Sequence, residues 1–129
     1  GDFLRLAARF AGVRRWMIGR GILVDPLLAA EIRGGRFSAG RRAERFRAFH
    51  DDLVDGYRRR LSGPGHLLDR MKGFWKYFGI GFAGGRRSAK QIHRCRRMER
   101  YTELAAKFFD ARPRWIGLPD GASIDEKMA

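Results

Sequence analysis

In this 129-residue chain the first group suited to holding a ligand is Gly19-Arg20-Gly21. Two glycines around one arginine let the backbone turn sharply and present bare N–H groups. Such groups, close to a helix start, suit a phosphate. Asp25-Pro26 supplies that start, with Asp as N-cap and Pro at the first helical position. A tight turn with no ligand fits the same three residues. Other reactive side chains offer less. His50, His66 and His93 lie far apart, with no Cys or carboxylate at ligand spacing, so no metal site is expected. Asp51-Asp52 beside His50 reads as a helix surface rather than an acid/base pair. No serine sits in a nucleophile elbow. Cys95 is alone, which excludes a disulfide framework, and its position suggests a small core residue. Gly79 to Gly85 (GIGFAGG) has the spacing of a phosphate loop but follows no strand, so it is read as a mobile or tightly turned loop.

Charge supplies the second chemical signal. The chain holds 28 Lys and Arg against 14 Asp and Glu, a net +14. Between Arg33 and Arg100 stand 19 basic and 6 acidic residues, so nearly all the excess lies there. A polyanion partner follows naturally, because neutralising phosphates releases counterions. A merely solvated surface in an Arg-rich chain is the alternative. Apolar residues at 44%, with ten Phe, argue for a packed core over disorder. No apolar run reaches the length of a membrane span and no signal-peptide pattern is present, so a cytoplasmic protein is expected.

The elements that would position these groups read as follows. Gly1 to Gly12 is an amphipathic helix, with Phe3, Leu4, Ala7, Phe10 and Ala11 on one side. Val13 to Ile18 is a buried strand, which would have nothing to pair with in this chain. Asp25 to Ile32 is a short helix ended by Gly34-Gly35, and Ser38-Ala39-Gly40 is a linker. Arg41 to Leu61 is a long helix, with Phe46, Phe49, Leu53, Val54, Tyr57 and Leu61 inward. Gly63-Pro64-Gly65 breaks it. His66 to Phe78 follows, burying Leu67, Leu68, Met71, Phe74, Trp75 and Phe78. Ser88 caps a last helix running to Asp110, with Gln91, Ile92, Cys95, Met98, Thr102, Ala105 and Phe109 inward. On its border Arg87, Lys90, Arg94, Arg97 and Tyr101 form a stripe at steps of three and four. Trp115 and Ile116 could pack back, in an otherwise loose tail.

The order of three motifs carries a family likeness. WMIGRGILVDPLLAAEIRG, then a Phe-rich helix, then HLLDRMKGFWKYF resembles the C-terminal part of bacterial tRNA-dihydrouridine synthases, over about Phe3 to Phe109. The resemblance implies an FMN-dependent enzyme that reduces uridine in tRNA with NADPH. It implies that Gly19, Arg20 and Gly21 belong to the FMN phosphate site, in the last strand-to-helix turn of a (β/α)8 barrel. It implies that the C-terminal helical domain grips the tRNA. Arg70-Met71-Lys72-Gly73-Phe74-Trp75 matches the family's R-x-K-x-x-W stretch, and Arg70, Lys72, Lys76, Arg87, Lys90, Arg94 and Arg97 become candidate tRNA contacts. Trp75 and Phe74 are read as core. In the family, reduced flavin delivers hydride to C6 of a flipped uracil and a cysteine on an earlier barrel loop protonates C5. Cys95 is not that cysteine.

A (β/α)8 barrel needs about 200 residues at the least. The expectation is therefore a mainly α chain: a barrel remnant over 1–34, a helical tRNA-binding domain over 35–112, and a loose tail over 113–129. Alone it would be a catalytically inactive monomer with weak flavin affinity. A stand-alone basic helical module that binds RNA without catalysis is the alternative.

Overall fold

The computed structural model describes residues 2–117, and over these the chain is helical. Seven helices run in order among the described residues: α1 (Asp2–Arg9), α2 (Gly21–Val24), α3 (Leu28–Ile32), α4 (Ala39–Arg60), α5 (Pro64–Phe78), α6 (Gly85–Arg94) and α7 (Met98–Asp110). Helices α4 to α7 form a bundle in which α5 touches each of the other three. Residues 118–129, most of the expected loose tail, lie outside the described residues.

Local chemistry explains most boundaries. Ser38 caps α4, its Oγ accepting from Arg41 N–H at 3.3 Å. Arg58, Arg59 and Arg60 fill the last turn, where positive charge meets the negative helix end. Gly63 at φ 85° turns the chain, and Pro64 opens α5 at a position that needs no N–H donor. The short α3 begins two residues after the expected Asp-Pro start. Asp25 still directs it, because its Oδ1 accepts from Leu27 N–H at 3.1 Å.

Two sequence expectations are corrected. Val13 to Ile18 forms no strand; the segment is irregular and mostly exposed. A strand needs a neighbouring backbone to satisfy its N–H and C=O groups, and none is offered here. The expected single helix from Ser88 to Asp110 is two. Helix α6 begins earlier, after the left-handed Gly84, and residues 95–97 are extended before α7. No glycine or proline marks that break. Packing decides it, since α6 and α7 lie against one another and bury Ile92, Cys95 and Tyr101 together. Gln91, before the break, and Thr102, beyond it, are exposed and not inward.

The core is aromatic. Phe46 sits edge-on to Phe78 and Phe82 at 5.2 and 5.0 Å, and Trp75 is edge-on to Phe108 at 5.3 Å. Such T-shaped pairs add to the area they bury. Trp75 is fully buried, as expected, whereas Phe49 is half-exposed at the bundle's edge. The GIGFAGG loop is tightly turned: a Cβ on Gly81 would fall 2.2 Å from the ring of Trp115, so only glycine lets that indole close over the loop. Trp115 packs edge-on against Phe82 at 5.0 Å, and Ile116 N–H donates to the Gly81 carbonyl. The backbone thus folds Trp115 onto the bundle.

Arg42 joins the pieces. Its guanidinium is nearly buried and pairs with Asp25 at 2.8 Å and with Glu31, while its Cζ lies 4.6 Å from the Trp115 ring centre. These pairs cross the boundary drawn between residues 34 and 35. Removing the cation alone leaves two partly buried carboxylates unpaired. Arg42→Met should lower stability by about 2–3 kcal/mol, read as a lower urea midpoint with unchanged slope. Asp25→Asn should cost less, since Glu31 and Trp115 still hold the guanidinium.

Candidate nucleic-acid interface

The candidate basic residues are not one stripe but parts of two helices and a break. On α5, Lys72 and Lys76 stand one turn apart on the side facing α6. His93 on α6 lies close enough to feel both: burial first, then the charges of Lys76 and Lys72, hold its imidazole below the ordinary 6.5. The structure therefore brings Lys72 and Lys76 together with His93, a residue set aside in the sequence. Arg70 is separate. Its guanidinium lies 5.4 Å from the ring centre of Tyr57, on the α4 side of α5. The R-x-K pair thus faces two directions.

Arg87, Lys90 and Arg94 occupy successive turns of the exposed ridge of α6, a helix about 15 Å long by its residue count. The four cations Arg86, Arg87, Lys90 and Arg94 stand on it with no carboxylate. Arg97 caps α7 with extended backbone and is exposed. Tyr101, expected on the same border, is instead buried at 1% exposure. The break at 95–97 turned it inward.

Tyr101 belongs to a buried polar relay. The Trp75 indole N–H donates to the Tyr101 hydroxyl at 2.8 Å, and that hydroxyl lies 2.7 Å from His50 Nε2. His50 Nδ1 stands 2.9 Å from Asp51 Oδ1. With neutral His50, each group is satisfied when Nδ1–H donates to Asp51 and Nε2 accepts from Tyr101. Burial, opposed in part by Asp51, holds His50 below its usual range, and burial pushes the Tyr101 hydroxyl well above its own. The relay locks α4, α5 and α7 together. Asp51 stands on the helix surface as expected, whereas His50 beside it is buried.

Gly19, Arg20 and Gly21 form the turn that starts α2, with Ile22 N–H donating to Gly19 O at 3.1 Å and Leu23 N–H to Arg20 O at 2.9 Å. Nothing lies within 4 Å of a Cβ built on Gly19, so its backbone faces open space. Val24 anchors this turn, being buried at 1% exposure in a helix that packs on α5. Cys95 is buried and packs in the core cluster. Among the described residues no group of three His, Cys, Asp or Glu could hold a metal ion, and no helix is long and apolar enough to cross a membrane.

Sequence reasoning missed Arg42, His93, and the cations Lys107, Arg112 and Arg114 beyond the α6 ridge. Their signal was weak, since nothing in an Arg-rich chain marks which arginine is buried.

The His50 environment sets a pH dependence. A folded-state value below the ordinary 6.5 means the unfolded chain binds the proton first. Stability should be complete above about pH 6.5 and fall as the pH drops toward 5. Urea melts across this range should show that slope, and His50→Gln should flatten it, leaving the share of His93. An unchanged slope in His50→Gln would remove His50 as the cause.

No protein-family model, curated protein or solved structure matches the chain.

Proposed function

We propose that this chain is the C-terminal part of an FMN-dependent tRNA-dihydrouridine synthase, contributing the tRNA-gripping helical bundle and one wall of the flavin phosphate site. The observation that carries this reading is the division of its surface. Apolar side chains stand exposed along residues 4–17: Leu4 at 69% and Met17 at 95%, with Leu6, Phe10, Val13 and Trp16. Large apolar side chains exposed so densely along one short stretch are what a covering partner would bury. Cations stand together on α5 and α6, where a sugar-phosphate backbone would meet them. The unpaired strand no longer supports this reading, since the segment is irregular; the exposed side chains do.

In the complete enzyme Gly19, Arg20 and Gly21 would hold the FMN phosphate, chiefly through backbone N–H groups. Bound flavin, reduced by NADPH, supplies the hydride for uridine reduction. The bundle's part is positioning: Lys72, Lys76, Lys90, Arg94 and Arg97 hold tRNA phosphates and thereby set which base reaches the reacting centre. Cytoplasmic tRNA is the expected partner. A stand-alone RNA-binding module is favoured by one feature, that the core cluster draws only on residues from Phe46 onward.

Two measurements test these readings. Lys72→Ala with Lys76→Ala should weaken tRNA binding several-fold and reduce the slope of log K against log salt by about 1.5. Arg70→Ala should do less, because it stands on another side of α5. An unchanged slope in the double variant would count against phosphate contact there. The native gene product should be a yellow polypeptide well over twice 14.8 kDa. A colourless protein of that mass would leave the stand-alone module.

A further inference from the structure

A groove of about 550 Å³ runs between the first turn of α6 and the end of α7, closed at one end by residues 112–114. Arg87, Lys107, Arg112 and Arg114 line it, and no carboxylate does. Among the described residues none of these four cations makes an ion pair, while the nearby Asp110 is engaged by Arg47 at 2.6 Å. Four like charges around one hollow repel each other, and among the described residues no carboxylate lines the hollow to offset that repulsion. Ser88 and Gln91 add neutral hydrogen-bonding groups, and Leu104 and Phe108 form part of an apolar floor. The groove is also held in place. Ala83 N–H donates to the Arg114 carbonyl at 2.9 Å, and Trp115 is pinned between Phe82 and Arg42.

We infer that this groove is a second phosphodiester site, one that takes a short stretch of RNA backbone and extends the basic surface of α6 across α7. A polyanion fits better than a single small anion. Arg87 is shared between the groove and the α6 ridge, so the charge continues along Lys90 and Arg94 without interruption by an acid. The half-open hollow admits a strand passing through, and its mixed lining meets phosphate with cations and ribose with apolar surface. The inference rests on the reading of the chain as an RNA-binding piece, and applies to the synthase part and to the stand-alone module alike.

The test uses the full 129-residue chain and a fluorescently labelled, unmodified tRNA transcript, titrated at several salt concentrations. The groove variant is Lys107→Gln, Arg112→Gln and Arg114→Gln together. All three side chains are exposed, so the fold should be retained, as circular dichroism would show. The comparison variant is Arg58→Gln, Arg59→Gln and Arg60→Gln, which removes equal charge at the end of α4. The groove variant should bind about tenfold or more weakly and lose about 2 from the salt slope, while the comparison variant loses less than about threefold. Equal losses in both would reduce the effect to net charge and overturn the site, as would wild-type binding by the groove variant. Failure of the wild-type chain to bind saturably would remove the RNA reading itself, and the groove with it. Wild-type binding that Lys72→Ala with Lys76→Ala weakens, but the groove substitutions do not, would leave that reading standing without the groove.

Discussion

A guanidinium removed from water has to be paired, and at Arg42 that requirement draws three distant segments to one point. Asp25 and Glu31 come from the short helices before the bundle, and Trp115 comes from beyond its last helix. Each would otherwise be a loosely attached piece of a small protein. The ion pairs offset the desolvation of the cation, and the indole face adds a cation–π contact. This contact joins the backbone bonds made with Gly81 and Ala83 in turning the chain back after α7. The groove beside α6 depends on that turn, so the placement of a surface feature traces in part to a buried charge.

A second constraint runs through the aromatic core. Phe46, Phe78, Phe82, Phe108 and Phe109 interlock edge to face, and the relay of Trp75, Tyr101 and His50 threads through them. The relay makes the packing specific, because each polar atom has one suitable partner and a shifted helix would strand it. This tight core holds together a molecule whose surface charges repel. Acidic side chains are also distributed unevenly. Asp51, Asp55, Glu103 and Asp110 sit on α4 and α7 and engage neighbouring cations or His50, whereas α6 carries none. The basic face is therefore a consequence of where the acids are.

The long amphipathic stretches were legible. Phe46, Val54 and Tyr57 on α4, and Leu67, Met71 and Trp75 on α5, stand inward or half-inward at the spacing the sequence announced. The helix starts were less legible, since Ala39-Gly40, expected in a linker, open α4 behind the Ser38 cap, and Pro64, expected in a break, opens α5. Val13 to Ile18 misled because apolar character alone does not make a strand; pairing does. The end of α6 misled for the opposite reason, since no breaking residue stands there. A helix ended by packing leaves no local mark, and the phase carried across it failed at Tyr101 and Thr102 although Ala105 and Phe109 are buried as expected. Tyr101 thereby moved from a surface stripe to the centre of the relay.

Sequence by itself determined the helical class, the mass of aromatic side chains that must be buried, and the excess of positive charge with its concentration after residue 33. These follow from composition and periodicity, which act on each segment separately. Tertiary structure alone decided which arginine is buried, which cations share a face, and where α6 stops. It set Lys72 and Lys76 beside His93, parted Arg70 from both, and placed Lys107 and Arg114 across a hollow from Arg87. Those relations depend on how helices pack and how the chain turns between them, and residues far apart along the backbone meet only when a shared core has fixed both.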